Sequence, residues 1–410
     1  MNDTIQLNHA LELNSGIKVH NRLFKSAMSE QLGDKHLNPK PELVELYRVW
    51  AEGGIGISVT GNVMVDRSAL GEPRNVVLDQ HSNLDMFRSW AKNGTQQNTQ
   101  LWMQLNHPGK QVPAILSEVP VAPSAIPLTG GLEKGFNTPR ALTEAEILEI
   151  IERFATSASL AKKTGFTGIQ IHGAHGYLVS QFLSPRHNQR TDQWGGTPEN
   201  RMRFVLEVYR AIREKVGNNF PVGIKLNSAD FMKDGFTEDE SMTVVKALDS
   251  AGIDLIEISG GTYESPSMMG ANVKESTRRR EAYFLEYAEQ VRQHVSTRLV
   301  VTGGFRSAKA MTEALQSGAT DMIGVARPMA LQPDLPIRLI NDPSYRIELP
   351  NPTTGIAAMD QMSMLGITWF EAQLQRIGKK QQPKPKLSSW FVVFQMFAGL
   401  GKHAFQKRRA

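Results

Sequence analysis

Short apolar runs alternate along the sequence with longer segments in which apolar residues recur every three or four positions. The short runs have the length and the β-branched content of buried strands. They comprise residues 23–28, 56–60, 100–105, 168–172, 222–226, 254–259, 298–302 and 321–325. The longer segments have the period of amphipathic helices, and they comprise residues 41–52, 143–164, 198–216, 237–251, 280–294 and 307–317.

This alternation predicts an α/β fold with a parallel sheet. Eight strands is the number that closes a (β/α)8 TIM barrel, and an open doubly wound sheet is the alternative. Two helix starts carry a capping box, Thr143 with Glu146 and Thr237 with Glu240. The alternation stops near residue 343, so we expect a barrel over residues 1–341 and a C-terminal extension over 342–410.

Composition narrows the function classes. The 410 residues include no cysteine, which excludes disulfides, thiolate catalysis and Cys-ligated zinc or iron–sulfur clusters. No apolar run approaches the ~20 residues that span a bilayer. The first residues lack the basic-then-apolar pattern of a secretory signal. We therefore expect a cytoplasmic protein.

The net charge of +5 arises in the tail. Residues 373–410 contain nine Lys or Arg and no Asp or Glu, so the remainder of the chain has a net charge of −4. Nucleic acid is therefore not an expected partner. A Lys-, Gln- and Pro-rich linker (378–386) precedes an apolar, aromatic segment (388–401) that is too short to span a membrane. Residues 387–410 either pack on the body or on a partner subunit, lie on an anionic membrane surface, or are disordered.

Polar residues and glycines lie at or just after the carboxyl ends of the predicted strands. They are Ser29, Asn62, Gln104, His107, His172, His175, Lys225, Asn227, Ser259, Gly260, Gly261, Gly303, Gly304 and Arg327. The active sites of such barrels lie at the carboxyl ends of the strands, where loops from all eight units converge. We therefore expect these residues to face one binding site for a small molecule.

Two imidazoles and a phenol lie close together in the sequence. His172 is the last residue of the fourth predicted strand, His175 comes three residues later and Tyr177 two residues after that. Such groups can donate hydrogen bonds to a ligand oxygen and one proton to a bound substrate. The pair predicts a clamp for a carbonyl or nitro group, with Tyr177 as the general acid. The alternatives are a metal site at His172 and His175 and a packed aromatic ring at Tyr177.

The ends of the last two strands resemble a phosphate site. Backbone N–H groups at Gly303 and Gly304 allow an anion to approach closely, and Arg327 adds a bidentate donor. Gln104 and Lys225 have the chemistry that the polar edge of a flavin requires, an amide that both donates and accepts and a cation near the N1/O2 end. A phosphate-bearing cofactor is thus expected.

Seven segments, in order along the chain, resemble the motifs of one family. They are residues 21–29, 104–110, 171–178, 182–185, 188–196, 222–227 and 302–304. The set is similar to the Old Yellow Enzyme family of FMN-dependent ene-reductases (NADH:flavin oxidoreductases), and it covers roughly residues 5–340. The most diagnostic stretch is IHGAHGYL at 171–178.

The resemblance implies a role for each matching residue. The isoalloxazine ring would rest near Ser26, Ala27, Met28, Ser29 and Asn62, with Gln104 and Lys225 at its polar edge. Gly303, Gly304, Ala326 and Arg327 would hold the phosphate. His172 and His175 would bind the electron-withdrawing group of the substrate, and Tyr177 would protonate its α-carbon. The implied reaction is ping-pong, in which NADH or NADPH reduces FMN and the C=C bond of an α,β-unsaturated carbonyl or related activated alkene is then reduced.

Three positions depart from the family pattern. Ala27 replaces Pro, Ser29 replaces Thr or Cys, and Ala326 replaces Gly. The absence of cysteine points to the single-barrel branch without an iron–sulfur cluster. The alternatives are a flavin-dependent dehydrogenase or demethylase on the same barrel, a metal-dependent barrel hydrolase at the two histidines, and a membrane-associated scaffold. The physiological substrate, the choice between NADH and NADPH and the oligomeric state stay open.

Overall fold

The computed structural model of the protein describes residues 5–265 and 281–400. Eight parallel strands of its main sheet form the barrel: β1 (Leu23–Lys25), β2 (Ile57–Val59), β3 (Gln100–Asn106), β4 (Gly168–Gly173), β5 (Val222–Asn227), β6 (Leu255–Ser259), β7 (Arg298–Thr302) and β8 (Met322–Val325). A short ninth strand, Val63–Met64, pairs with the end of β3. Each strand of the barrel pairs with the next, and β8 pairs with β1, so the sheet closes into a barrel. The predicted (β/α)8 barrel is confirmed, and the open-sheet alternative is wrong.

Helices follow the strands and cover the outside of the barrel. They are α1 (Pro41–Glu52), α2 (Leu84–Gly94), α3 (Glu144–Thr164), α4 (Leu178–Leu183), α5 (Pro198–Val216), α6 (Glu238–Ser250), α7 (Leu285–Arg292), α8 (Ala308–Gln316) and α9 (Leu335–Asn341). Both predicted capping boxes are present, at Thr143 with Glu146 and at Thr237 with Glu240. The helix predicted over 280–294 is shorter, and its first residue lies outside the described residues.

The amino-terminal end of the barrel is closed by apolar packing. An antiparallel hairpin (Leu11–Glu12 and Lys18–Val19) lies across it, and Val19 packs in one buried cluster with Trp102 of β3. The indole of Trp102 fills the interior so tightly that a Cβ atom added at Gly168 or Gly223 would lie 2.6 or 2.8 Å from its ring. Ligand binding is therefore confined to the opposite, carboxyl end of the strands.

Three further helices follow the barrel: α10 (Ala357–Met362), α11 (Leu365–Gly378) and α12 (Ser389–Leu400). Helix α11 packs on α1 and on the short turn Arg327–Ala330 that follows β8. Val392 and Val393 of α12 are buried in the main core, whereas Trp390, Phe391 and Phe394 are exposed. The basic residues at 402 and 407–409 lie outside the described residues. Over the described ranges, every helix is too short or too polar to cross a membrane.

Candidate active site

A layer of buried polar side chains lies in the barrel, two residues beyond Trp102. Gln104 donates from Nε2 to Oε1 of Gln170 (2.8 Å), and Gln170 donates from Nε2 to Oε2 of Glu257 (2.8 Å). The Nζ atom of Lys225 lies 3.2 Å from Oε1 of Glu257. All four side chains are buried. The ammonium and the carboxylate can therefore compensate each other's charge inside the barrel.

Strand register explains why these side chains meet. Gln104 is paired with Gln170, and Lys225 is paired with both His172 and Glu257. Residues in register on neighbouring strands point to the same face of a sheet, and in a closed barrel one of the two faces is the interior. Gln170 and His172, two residues apart on β4, thus share the interior face with Lys225.

The polar layer continues to β7 and β1. The Thr302 hydroxyl donates to Oε1 of Glu257 (2.7 Å), and the hydroxyls of Ser26 and Thr302 are 2.8 Å apart. Because the hydrogen of Thr302 is committed to the carboxylate, Ser26 donates in the second contact. Three of the predicted cofactor-binding residues (Ser26, Gln104 and Lys225) therefore belong to one hydrogen-bonded set. Ala27 and Met28 follow Ser26 as partly buried residues that pack on the core.

β4 leads into a cluster of four rings. The ring centroid of His172 lies 5.2 Å from that of His175 and 4.8 Å from that of Tyr177, and Tyr177 lies 5.8 Å from Tyr263. His175 has a φ of 62°, a left-handed conformation that side-chain-bearing residues rarely adopt. Its Nε2 atom contacts the Ser259 hydroxyl at 2.8 Å. Strained backbone of this kind clusters at functional sites.

Both histidines are neutral hydrogen-bonding groups. Burial lowers the pKa of His172 and that of His175 well below the usual value, and neighbouring positive charge, including that of Lys225, lowers them further. The N–H of Ala174 donates to Nδ1 of His172 (3.4 Å), so in the neutral ring the hydrogen is carried by Nε2. His172 can therefore donate from Nε2 to an oxygen atom of a ligand.

Tyr177 is a protonated phenol in contact with a second phenol. Its hydroxyl lies 2.7 Å from that of Tyr263. Burial, and then the neighbouring Tyr263, raise the pKa of Tyr177 well above its usual value, whereas the side chain of Asn62 beside it acts in the opposite direction. The proton of Tyr177 is therefore retained at neutral pH, and Tyr263 is positioned to share it.

The ends of β7 and β8 have the properties of an anion site. Gly303 and Gly304 have φ values of 112° and 91°, which a side chain would strain. Arg327 follows Ala326 at the end of β8, and burial and the neighbouring Arg306 lower its pKa. Among residues 5–265 and 281–400, the Arg327 guanidinium has no hydrogen bond to another side chain. The left-handed backbone of the two glycines and the neighbouring guanidinium groups of Arg327 and Arg306 are donors of the kind that a phosphate requires.

Two carboxyl groups lie at the mouth of the barrel beside Ser29. The Ser29 hydroxyl is 2.6 Å from Oε2 of Glu72 and 2.6 Å from Oε1 of Glu371. Nearby, Oδ1 of Asn62 accepts a hydrogen bond from Nδ2 of Asn75 (3.4 Å). Glu72 is also close enough to Tyr177 to raise the pKa of that phenol. Ser29, Asn62 and Tyr177 therefore lie at the same opening of the barrel.

Sequence reasoning did not identify four acidic and polar residues of this region: Gln170, Glu257, Glu72 and Glu371. Glu257 carried a usable signal, since an acidic residue inside the apolar run 255–258 is as unusual as Lys225 inside its own strand. Glu371 carried none, because its position depends on how the extension folds back. In the described part of the chain, no three His, Asp or Glu side chains are grouped as metal ligands.

Comparison with known proteins identifies the family. The model of the NADH:flavin oxidoreductase / NADH oxidase family matches residues 10–343. The chain belongs to this family.

Two curated relatives are NADH-dependent flavin oxidoreductases: iliE of Neonectria sp. (strain DH2), 37% identical over 358 residues, and iccE of Talaromyces variabilis, 35% identical over 410 residues. The alignments cover 81% of this chain and 47% of iliE, and 92% of this chain and 99% of iccE. The chain therefore spans about half the length of the first relative.

A solved structure agrees on the fold of this NADH:flavin oxidoreductase. The Old Yellow Enzyme homologue from Zymomonas mobilis superposes with a TM-score of 0.70 at 22% identity, covering 84% of this chain and 95% of that one. Membership of the family makes the protein an FMN-dependent oxidoreductase that uses NAD(P)H. The donor set of the barrel mouth fits that cofactor, because it combines a phosphate-type site with an amide and an ammonium group at the centre.

Proposed function

We propose that this NADH:flavin oxidoreductase reduces the C=C bond of α,β-unsaturated carbonyl compounds or related activated alkenes. The observation that carries the proposal is the ring cluster after β4. Neutral imidazoles at His172 and His175 lie beside the protonated phenol of Tyr177. This set can hold the oxygen of an electron-withdrawing group and deliver a proton to the carbon next to it.

The cofactor site is assigned by the same proposal. Gly303, Gly304, Ala326 and Arg327 would hold the phosphate of FMN, and its ring would be held by Ser26, Ala27, Met28, Ser29, Asn62, Gln104 and Lys225. Bound FMN would supply the hydride-transfer chemistry between NAD(P)H and the β-carbon of the alkene. Lys225 contributes positive charge at the polar edge, which its partner Glu257 moderates.

The protein residues complete the reduction. His172 donates from Nε2 to the carbonyl oxygen, which draws electrons away from the β-carbon and prepares it for hydride addition. Tyr177 gives its proton to the α-carbon, so one hydride and one proton together add two hydrogens across the double bond. The Tyr263 hydroxyl, 2.7 Å away and partly accessible, can then relay a proton from solvent to Tyr177.

An anaerobic absorbance experiment tests the proposal. We expect flavin bands in the purified protein that bleach on addition of NAD(P)H and return on addition of 2-cyclohexenone. Cyclohexanone, which lacks the C=C bond, is the matched control and should leave the bands bleached. Bands that never return with the enone would contradict alkene reduction and favour another oxidant. A protein without flavin bands after incubation with FMN would contradict the cofactor assignment itself.

For the tail, we infer an attachment to anionic membrane surfaces. One face of α12 packs on the body, and the other exposes Trp390, Phe391 and Phe394, with fractional exposures of 48%, 49% and 71%. An aromatic face followed by a basic segment has the composition of helices that lie in the headgroup region of anionic lipids. The sequence after α12 supplies Lys402, Lys407, Arg408 and Arg409.

Vesicle binding tests this attachment. The full-length protein is expected to co-sediment with vesicles that contain phosphatidylglycerol and not with vesicles of phosphatidylcholine alone. Replacing Trp390, Phe391 and Phe394 by Ser should weaken binding about tenfold or more. The control changes three exposed apolar residues elsewhere, Ile337, Ile356 and Met362, to Ser. Equal binding by the two variants, or a dimer that only the aromatic variant disrupts, would contradict the membrane role.

A further inference from the structure

Helix α11 of the C-terminal extension contacts two of the residues that were predicted to bind the cofactor. The ring of Phe370 lies near the guanidinium of Arg327, with 5.8 Å between Cζ and the ring centroid. The next residue, Glu371, is 5% exposed, and its Oε1 lies 2.6 Å from the Ser29 hydroxyl. The extension therefore contacts both the proposed phosphate end and the proposed ring end of the cofactor site.

The Ser29 hydroxyl lies between two carboxyl groups, with oxygen–oxygen distances of 2.6 Å to both Glu72 and Glu371. A serine hydroxyl has one hydrogen, so it donates to only one of these oxygens. At so short a distance the other contact also needs a hydrogen, which a protonated carboxyl group supplies. One of the two glutamates is therefore protonated in this arrangement.

Hydrogen bonding distinguishes the two glutamates. The second oxygen of Glu371 accepts from Nε2 of Gln31 at 2.9 Å, whereas the additional donor of Glu72, Nδ2 of Asn75, is 3.5 Å away and contacts the same oxygen as Ser29. The closer donors at both oxygens of Glu371 favour its ionised form. Glu72 is then the protonated partner, which donates to Ser29, and Ser29 donates to Glu371. Burial raises the pKa of both glutamates, and the charge of Glu371 raises the pKa of Glu72 further.

We propose that Glu371 is a positioning residue that withholds the Ser29 hydrogen from the flavin while ionised and releases it when protonated. The inference rests on the proposed function, because it needs the flavin ring beside Ser29. Reduction of a flavin adds negative charge, which a hydrogen-bond donor stabilises. The C-terminal extension would in this way set the reduction potential of the cofactor and make it depend on pH.

Other titratable groups surround this unit. Glu30, Tyr177 and Tyr263 interact electrostatically with Glu72 or Glu371, Lys25 interacts with Glu30, and Arg327 lies beyond Phe370. Glu30 accepts hydrogen bonds from the Tyr47 hydroxyl and from the N–H of Gly61. Burial raises the pKa of Glu30 and lowers that of Lys25, so this pair can also titrate. Burial raises the pKa of both phenols, which therefore stay neutral.

The test is the midpoint potential of bound FMN, measured from about pH 6 to about pH 9. Glu371→Gln should make the potential more positive, because it removes a nearby negative charge and replaces the carboxylate that accepts the Ser29 hydrogen by a weaker amide acceptor. The equilibrium constant for reduction should rise about tenfold, or about 30 mV for a two-electron couple. In the unaltered protein, falling pH protonates Glu371 and should raise the potential more steeply than in Glu371→Gln.

Two controls separate a specific effect from a general one. Glu348→Gln removes an exposed negative charge from the same extension and should leave the potential unchanged. In a Ser29→Ala background, Glu371→Gln should shift the potential by less than half as much, because the relaying hydroxyl is gone. If Glu371→Gln does not fold, Glu371→Asp, which withdraws the carboxylate from Ser29, should shift the potential in the same direction.

The measurements distinguish a failure of the proposed role of Glu371 from a failure of the proposed function. A protein that fails to bind FMN contradicts the proposed function. A protein that binds FMN normally, but whose potential and pH profile in Glu371→Gln match those of Glu348→Gln, contradicts only the role of Glu371. An equal shift with and without the Ser29 hydroxyl would also overturn the relay through Ser29.

Discussion

Replacing Tyr177 by Phe is expected to slow alkene reduction by about 10²- to 10⁴-fold, the range that one general acid contributes. The hydroxyl that is lost is the proposed proton source for the α-carbon, and the phenyl ring that remains preserves the packing on His172. Reduction of FMN by NAD(P)H should keep its rate, because that half-reaction needs no proton from Tyr177. Stopped-flow absorbance measures the two half-reactions separately.

Tyr263→Phe is the matched control for this prediction. It removes the hydroxyl that lies 2.7 Å from Tyr177 but leaves the proposed acid in place. We expect a loss of about tenfold or less in alkene reduction, in line with one hydrogen bond. A larger loss in Tyr263→Phe than in Tyr177→Phe would transfer the role of acid to Tyr263. Equal losses in both half-reactions of Tyr177→Phe would show that it supports the flavin instead.

Arg327→Ala should raise the dissociation constant of FMN by about 10- to 100-fold. A hydrogen bond to a charged group contributes about 1.5–3 kcal/mol, and each 1.4 kcal/mol is tenfold in affinity. We expect this effect for two reasons. Within residues 5–265 and 281–400, the Arg327 guanidinium has no side-chain hydrogen-bond partner. Arg327 also comes directly after β8, whose neighbour β7 ends at Gly303 and Gly304. Fluorescence titration of the apoprotein with FMN measures it directly.

Arg338→Ala provides the control for charge, because Arg338 is exposed and forms an ion pair with Asp334 on the surface. Its FMN affinity should match that of the unaltered protein. Arg306→Ala tests the neighbouring guanidinium, which lowers the pKa of Arg327 by its proximity. A greater loss of FMN affinity in Arg306→Ala than in Arg327→Ala would relocate the phosphate to Arg306.

The barrel was predictable from the sequence because its strands are short, buried on both faces and separated by helices with clear start signals. The run around Val222–Asn227 illustrates this, since it is apolar apart from Lys225 and Asn227 and lies between two capped helices. Strand order then followed from chain order, because the connections of parallel strands are local. The predicted functional residues lie at the ends of those strands for the same reason.

The carboxyl groups around Ser29 were not predictable in this way. Glu371 is 342 positions from Ser29, and the contact depends on how α11 packs on the outside of the barrel. The helical pattern of 365–378 does not specify which surface it covers. Glu257 belongs to an intermediate case, in which the strand was predicted correctly but the partner of Lys225 inside the barrel was not recognised.

The position of α11 has a consequence for how the barrel opens. In a closed barrel whose strands are in chain order, a loop or helix of the chain connects seven of the eight neighbouring strand pairs. The first and last strands are neighbours without such a connection. In this protein, that unconnected junction is the pairing of β8 with β1. Helix α11 contacts both α1, which follows β1, and the turn that follows β8. Helix α11 therefore bridges the one junction that lacks a connecting loop. Separation of β8 from β1 requires α11 to detach from the barrel first.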